Sequence, residues 1–344
     1  MINLVKELGR FSGVSGHEML VRQFLMKELE NAPAVSDIRV DRLGNCLVFL
    51  KGKQSAPKKV MFAAHMDEVG GIITGITDDG YLRFTTVGGI LPDVLFARRV
   101  TINGHTGVIG GKAIHQCKGD AKMEMPSVDN MLIDIGADCE KEARTVAKEG
   151  DVFTFVDEQF SLSNGYFASK ALDDRVGCSL LLSLAKTQPK YDIILAFTVQ
   201  EEIGTRGAAT AAFAIQPEIA VVIDATTAAD VAGTPPQKQV CQTKRGAVVS
   251  YMDRATLYDT ALYTHIRAVA ESCGIAAQTK TTVAGGNDAG AIQRAGIGSR
   301  VAAVSLPCRY IHSPLCVLNE QDIQSTYALL EKLMNTLPAW DENT

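Results

Sequence analysis

The 344-residue chain has no block of lysines or arginines, no long apolar run and no paired cysteines, and each absence removes a class of function. The net charge is −5 and the pI about 5.7, so the phosphate-neutralising surface that nucleic-acid binding requires is missing and no nucleic-acid partner is expected. The longest apolar stretches, such as 193–199, fall far short of the roughly 20 residues that cross a bilayer, which excludes a helical membrane span. Cys46, Cys117, Cys139, Cys178, Cys241, Cys273, Cys308 and Cys316 stand singly, with no Cys-x-x-Cys, against a zinc ribbon or a disulfide scaffold. They are expected to be buried thiols in a reducing cytosol. The first residues, Met1-Ile2-Asn3-Leu4-Val5-Lys6-Glu7, mix charge into their apolar positions and lack the features of an export signal, so the expected location is cytoplasmic.

What is present is apolar content: 46% of the residues, sufficient for a full core in one large domain or two smaller ones. An amphipathic helix is expected near the start, with Ser15 as its cap and Leu20, Phe24, Leu25 and Leu29 at helical spacing. Strands are expected over 38–41 and 46–50, and the run Val60-Met61-Phe62-Ala63-Ala64 reads as a buried strand leading into His65. From about Gly70 to Ser163 the texture changes to short β-rich pieces punctuated by glycine, which predicts a small all-β insertion over 70–163 within a catalytic unit made of 1–69 and 164–344. Helix and strand signals then alternate: helices over 174–186, 206–214, 257–272, 287–295 and 320–336, strands over 192–199, 219–223, 276–280 and 300–305. Alternation of this kind predicts an α/β fold with a mixed central sheet flanked by helices.

Candidate chemistry sits where such sheets carry it, at the carboxyl ends of strands. His65 follows Val-Met-Phe-Ala-Ala, Glu201-Glu202 follow the 193–199 run, Asp224 follows Ala220-Val221-Val222-Ile223, and His312 follows the last strand; Asp173 opens a helix in Lys170-Ala171-Leu172-Asp173-Asp174-Arg175. Two histidines and several carboxylates are the donors that a hydrolytic zinc or cobalt site uses. In His65-Met66-Asp67, residues two apart on an extended segment share a side, so Asp67 can orient the imidazole through its second nitrogen. The same tripeptide also reads as a core histidine beside a surface aspartate. Neighbouring carboxylates cannot both turn to one metal, which makes Glu202 the ligand and Glu201 a general base worth about 10²–10⁴-fold in rate. A solvated acidic turn is the plainer reading of that pair. Singly, Asp224 could be a turn former, His312 a loop residue and Asp173 a helix cap.

The order of these blocks is more specific than any one of them. His65-Met66-Asp67-Glu68-Val69-Gly70, Ala171-Leu172-Asp173-Asp174-Arg175, Gln200-Glu201-Glu202-Ile203-Gly204, Ile223-Asp224-Ala225-Thr226 and Arg309-Tyr310-Ile311-His312-Ser313-Pro314 resemble the successive signatures of the M42 metallo-aminopeptidases. That family includes the glutamyl, deblocking and tetrahedral (TET) aminopeptidases. The likeness runs from the first helix to the last and includes Gly88-Gly89-Ile90, Arg98-Arg99-Val100 and Gly107-Val108-Ile109-Gly110 in the insertion. It implies an aminopeptidase acting on short peptides with two divalent ions, zinc or cobalt foremost and manganese next. One ion would be held by His65, Asp173 and Asp224, the other by Asp173, Glu202 and His312. Asp173 would bridge them, Glu201 would act as base on the bridging water and Asp67 would orient His65. The resemblance also implies a cis peptide after Asp173, and a homo-oligomer in which the β insertion pairs subunits into dimers that build a tetrahedral dodecamer. Two departures, Asn287 where threonine is common and Ala-Thr-Thr after Asp224, lie where a substrate pocket would be shaped.

The nearest rival is an M20-type carboxypeptidase or deacylase, whose accessory domain interrupts the chain after the glutamate pair. Here the insertion precedes Asp173. A glycoside hydrolase also uses paired carboxylates but has no task for His65 or His312.

Overall fold

The computed structural model describes residues 1–111 and 127–342, so Cys117 lies outside the described residues. The chain opens with a helix that periodicity did not reveal, α1 (Ile2–Gly9), followed by α2 (Met19–Leu29) and the strands β1 (Val35–Val40), β2 (Cys46–Leu50) and β3 (Val60–His65). Ser15 does not cap α2: the cap position is Glu18, and Leu20 is exposed while Val21 takes the core-facing place.

Between β3 and the next core helix, six antiparallel strands close a barrel: β4 (Gly70–Ile76), β5 (Leu82–Val87), β6 (Arg99–Ile102), β7 (His105–Gly110), β8 (Leu132–Asp134) and β9 (Val152–Phe155), with the short helix α3 (Glu140–Ala143) beside them. The barrel has its own core, in which Ile73, Phe84, Ile102, Ile109, Ile133 and Phe153 pack together. Closure leaves no free strand edge there. The strands β10 (Phe160–Ser161) and β11 (Tyr166–Ser169) lead back to the main body through α4 (Leu172–Ala185).

The remaining elements are β12 (Ile193–Thr198), α5 (Arg206–Ile215), β13 (Ile219–Thr227), β14 (Ala247–Val249), α6 (Thr260–Ser272), β15 (Ala277–Thr279), α7 (Asp288–Arg294), β16 (Arg300–Cys308), β17 (Cys316–Asn319) and α8 (Glu320–Thr336), the expected alternation with two short strands, β14 and β17, that periodicity does not reveal. The helix expected from 257 starts at Thr260, because the Asp259 carboxylate accepts from the Leu262 N–H and stops it there. Eight strands form one mixed sheet in the order β1-β2-β12-β3-β13-β16-β14-β15, with β17 in a small separate sheet beside β11.

Every residue of β3 is buried, and the period of two explains why the run is continuous. Val60, Phe62 and Ala64 join the core under α1, α2, α4, α6 and α8, while Met61 and Ala63 join the one under α5 and α7. The second core is rich in alanine (Ala63, Ala196, Ala208, Ala211, Ala289, Ala303), which lets those two helices sit close to the sheet. The fold is therefore α/β with a mixed central sheet between helices and an inserted all-β barrel, as the sequence predicts. Among the described residues no helix is long and apolar enough to cross a membrane. Five described cysteines are buried, but Cys139 and Cys273 are exposed, contrary to expectation.

Candidate metal centre

Strands β12, β3, β13 and β16 run parallel, so their carboxyl ends share one edge of the sheet. His65 ends β3, and the glutamate pair follows β12. Asp224 lies inside β13 rather than after it, opposite Ser305 of β16, because the strand continues to Thr227. His312 lies in the loop between β16 and β17. Asp173 stands at the entry to α4 with non-helical backbone, and the Asp173–Asp174 peptide is cis. Ala171, Gln200, Tyr310 and His312 all have left-handed backbone, a concentration of costly non-glycine geometry on the loops of this edge.

The folded chain gathers these side chains into two triads with one shared member. One donor atom from each of His65, Asp173 and Asp224 lies within 4.8 Å of the others, and the same holds for Asp173, Glu202 and His312. His65 Nε2 is 3.1 Å from Asp173 Oδ1 and 3.8 Å from Asp224 Oδ1. His312 Nε2 is 3.3 Å from Glu202 Oε2 and 3.6 Å from Asp173 Oδ2. Two donors bound at about 2.1 Å to one tetrahedral ion stand roughly 3.4 Å apart, so these spacings suit coordination. The other ring nitrogens decide the tautomers. His65 Nδ1 lies 3.2 Å from the Asp67 carbonyl and His312 Nδ1 lies 3.0 Å from the Gly89 carbonyl; a carbonyl only accepts, so each ring donates from Nδ1 and turns Nε2 toward the carboxylates. A Cβ at Gly89 would meet the His312 ring at 3.3 Å, a tight contact.

Electrostatically the site holds more buried acid than base. Burial, reinforced by the charge of Asp173, pushes Glu202 up to about 8 and raises Asp224 well above the ordinary carboxylate range. Burial likewise raises Glu201 strongly. Asp173 is the exception; burial opposes its ionisation, but hydrogen bonds from His312 and His65 outweigh it and lower its pKa. The hydrogen bond to Asp173 lifts His312 to about 9. Two imidazoles cannot neutralise four buried carboxylates, and what the cluster lacks is positive charge. The donor set thus fits a pair of divalent cations.

Asp67 has partners beyond the one that the sequence predicts. Its carboxylate lies 3.4 Å from His65 Nδ1, further than its own carbonyl, and it also accepts from the N–H groups of Glu201 (3.0 Å) and Glu202 (3.1 Å) and from the Ser15 hydroxyl (2.6 Å). It clamps the turn that carries both glutamates. Sequence reasoning also missed a buried network beneath the site. Glu68 accepts from Lys170 Nζ through both oxygens at 2.8 Å and from Arg175 Nη2 at 3.2 Å, and Arg175 reaches the carbonyls of Leu8 and Phe11. Charged residues flanking Asp173 within its motif were the available signal.

A cavity of about 140 Å³ opens onto Asp173, Glu201, Asp224 and His312. The sequence profile of the family described as M42 glutamyl aminopeptidase matches residues 44–329. The chain belongs to that family. It is 36% identical over 332 residues to a putative aminopeptidase of Acetivibrio thermocellus, covering 96% of this chain and 97% of the relative. It is 33% identical over 349 residues to the lysyl aminopeptidase of Pyrococcus furiosus, covering 98% of each. The fold matches the Pyrococcus horikoshii TET1 peptidase, described as assembling into a tetrahedron or a large octahedral shell, with a TM-score of 0.86 at 32% identity over 97% of this chain and 99% of that one. This M42 member is accordingly a peptide hydrolase.

Proposed function

We propose that this peptide hydrolase is a di-metal aminopeptidase that removes the N-terminal residue of short peptides. The observation that carries the reading is the pair of donor triads sharing Asp173. His65, Asp173 and Asp224 would hold one divalent ion and Asp173, Glu202 and His312 the other, zinc or cobalt foremost and manganese next, since nitrogen and oxygen donors suit all three. Ions bound there would supply Lewis-acid polarisation of the scissile carbonyl and an acidified water.

Glu201 belongs to neither triad yet lines the same cavity, and its raised pKa suits a group that takes a proton from the attacking water and returns it to the departing amine. Asp67 holds Glu201 and Glu202 in register through their backbone N–H groups. M20-type chemistry draws no support, because the barrel interrupts the chain between β3 and α4, ahead of the glutamate pair.

The assignment of 1–69 with 164–344 to catalysis and of 70–163 to dimerisation belongs to the same proposal. So does assembly of the dimers into a tetrahedral dodecamer, for which the support is the likeness to the TET1 peptidase. Light scattering of the purified protein tests the assembly, a monomer being the contrary result.

The central test is a panel of aminoacyl-nitroanilides and short peptides assayed on metal-stripped enzyme before and after each metal is restored. Activity lost on stripping, regained with metal and confined to free N-termini is the expected result. Full activity under chelation, or cleavage of N-blocked peptides, would overturn the reading.

A further inference from the structure

Family membership does not choose the side chain that is removed: the family's description is glutamyl, while the similar Pyrococcus furiosus enzyme is lysyl, the opposite charge. The cavity of this chain makes a choice of its own. Besides the acidic donors and His312, it is lined by one lysine, Lys280, from the segment after β15, which contributes no donor to either triad. Lys280 is only 8% exposed, a rare state for an ammonium without a partner. Its Nζ donates to the Ala284 carbonyl at 2.7 Å, and among the described residues no carboxylate lies within ion-pair distance. An ammonium has three N–H donors, so two remain for whatever enters. The cavity is also lined by the neutral residues Val240, Thr226, Thr227 and Ala284.

Resting on the aminopeptidase reading above, we propose that Lys280 is a specificity residue that pairs with the side-chain carboxylate of an N-terminal glutamate or aspartate. The carboxylates across the cavity do not oppose this: in that reading Asp173 and Asp224 are engaged with cations and Glu201 with the attacking water. A substrate lysine would meet a buried like charge and be rejected. Glutamine, the neutral isostere of glutamate, fills the same space but leaves the ammonium unpaired, and desolvating a charge without its partner is what makes the discrimination large.

The test is the ratio of kcat/KM for glutamyl- over glutaminyl-nitroanilide, measured in the metal-loaded enzyme and in Lys280→Met. Because both substrates are assayed on one preparation, the ratio is independent of the fraction of enzyme that folds or binds metal. The ratio in the unsubstituted enzyme is expected to be at least about thirtyfold and to fall below about threefold in Lys280→Met. Lys280→Glu should favour lysyl- over glutamyl-nitroanilide. Free L-glutamate should compete more strongly than L-glutamine against the unsubstituted enzyme alone. Equal rates on the glutamyl and glutaminyl substrates, or a ratio that Lys280→Met leaves intact, would overturn this proposal while leaving the aminopeptidase reading standing. Nitroanilides carry no peptide C-terminus, so equal rates would also result if Lys280 instead received the terminal carboxylate of a dipeptide. Failure to cleave any aminoacyl substrate would remove both.

Discussion

The two triads share Asp173 but are built from different material. His65 ends a fully buried central strand, its side chain is 3% exposed, and its partner Asp224 lies within a paired strand. His312 is 37% exposed on a loop with left-handed backbone, held by a single carbonyl from the Gly88-Gly89 turn at the barrel's edge. One triad is set by the sheet, the other by loops that a change in their neighbours could displace. Rigid elements hold donors more closely than loops do, so the strand-borne triad should bind its ion more tightly.

The largest effect should come from the residue that erases the contrast. Asp173→Ala removes a donor from both triads, and activity should fall by on the order of a thousandfold or more, with elemental analysis finding both ions depleted. Retention of one full equivalent would mean that the sites are independent. Next, Glu201→Gln should leave both triads occupied while kcat drops about 10²–10⁴-fold. Near-normal turnover would remove Glu201 from the chemistry.

A chelator titration addresses the contrast itself. Two equivalents should leave at concentrations about 10–100-fold apart, a difference of the size that supporting interactions produce at metal sites, and His312→Ala should abolish the weaker one only. Simultaneous release of both would show that burial of His65 confers no advantage. The smallest effect is expected at Ser15. Ser15→Ala removes one donor from the buried Asp67 carboxylate, costing about 1–3 kcal/mol in urea denaturation and less than tenfold in activity. No loss of stability would show that the hydroxyl is dispensable to the clamp.

Much of this was legible because local patterns and packing agree. The Val60–Ala64 run is apolar at every position, and in the fold both of its faces are covered by helices. The glycine-punctuated stretch after Gly70 reads as short strands and closes as a barrel around its own core. Where readings failed, a distant partner decided the matter. Ser15 looks like a helix cap, yet its hydroxyl bonds Asp67, 52 positions along the chain. Asp67 looks like a partner of His65 alone, yet its carboxylate also accepts from the backbone of Glu201 and Glu202. Asp224 looks like a strand-end residue because the apolar run stops at Ile223, but hydrogen bonding to β16 carries the strand to Thr227.

By itself the sequence determined the fold class and the inventory of donors, because periodicity and residue chemistry are local properties that survive in a one-dimensional string. Only the tertiary structure decided which of these side chains lie together, which backbone groups Asp67 clamps and that Lys280 lines the same cavity as Glu201. Those are distances between elements far apart in sequence, set by strand order and by loops whose conformation packing imposes, and no local pattern encodes them.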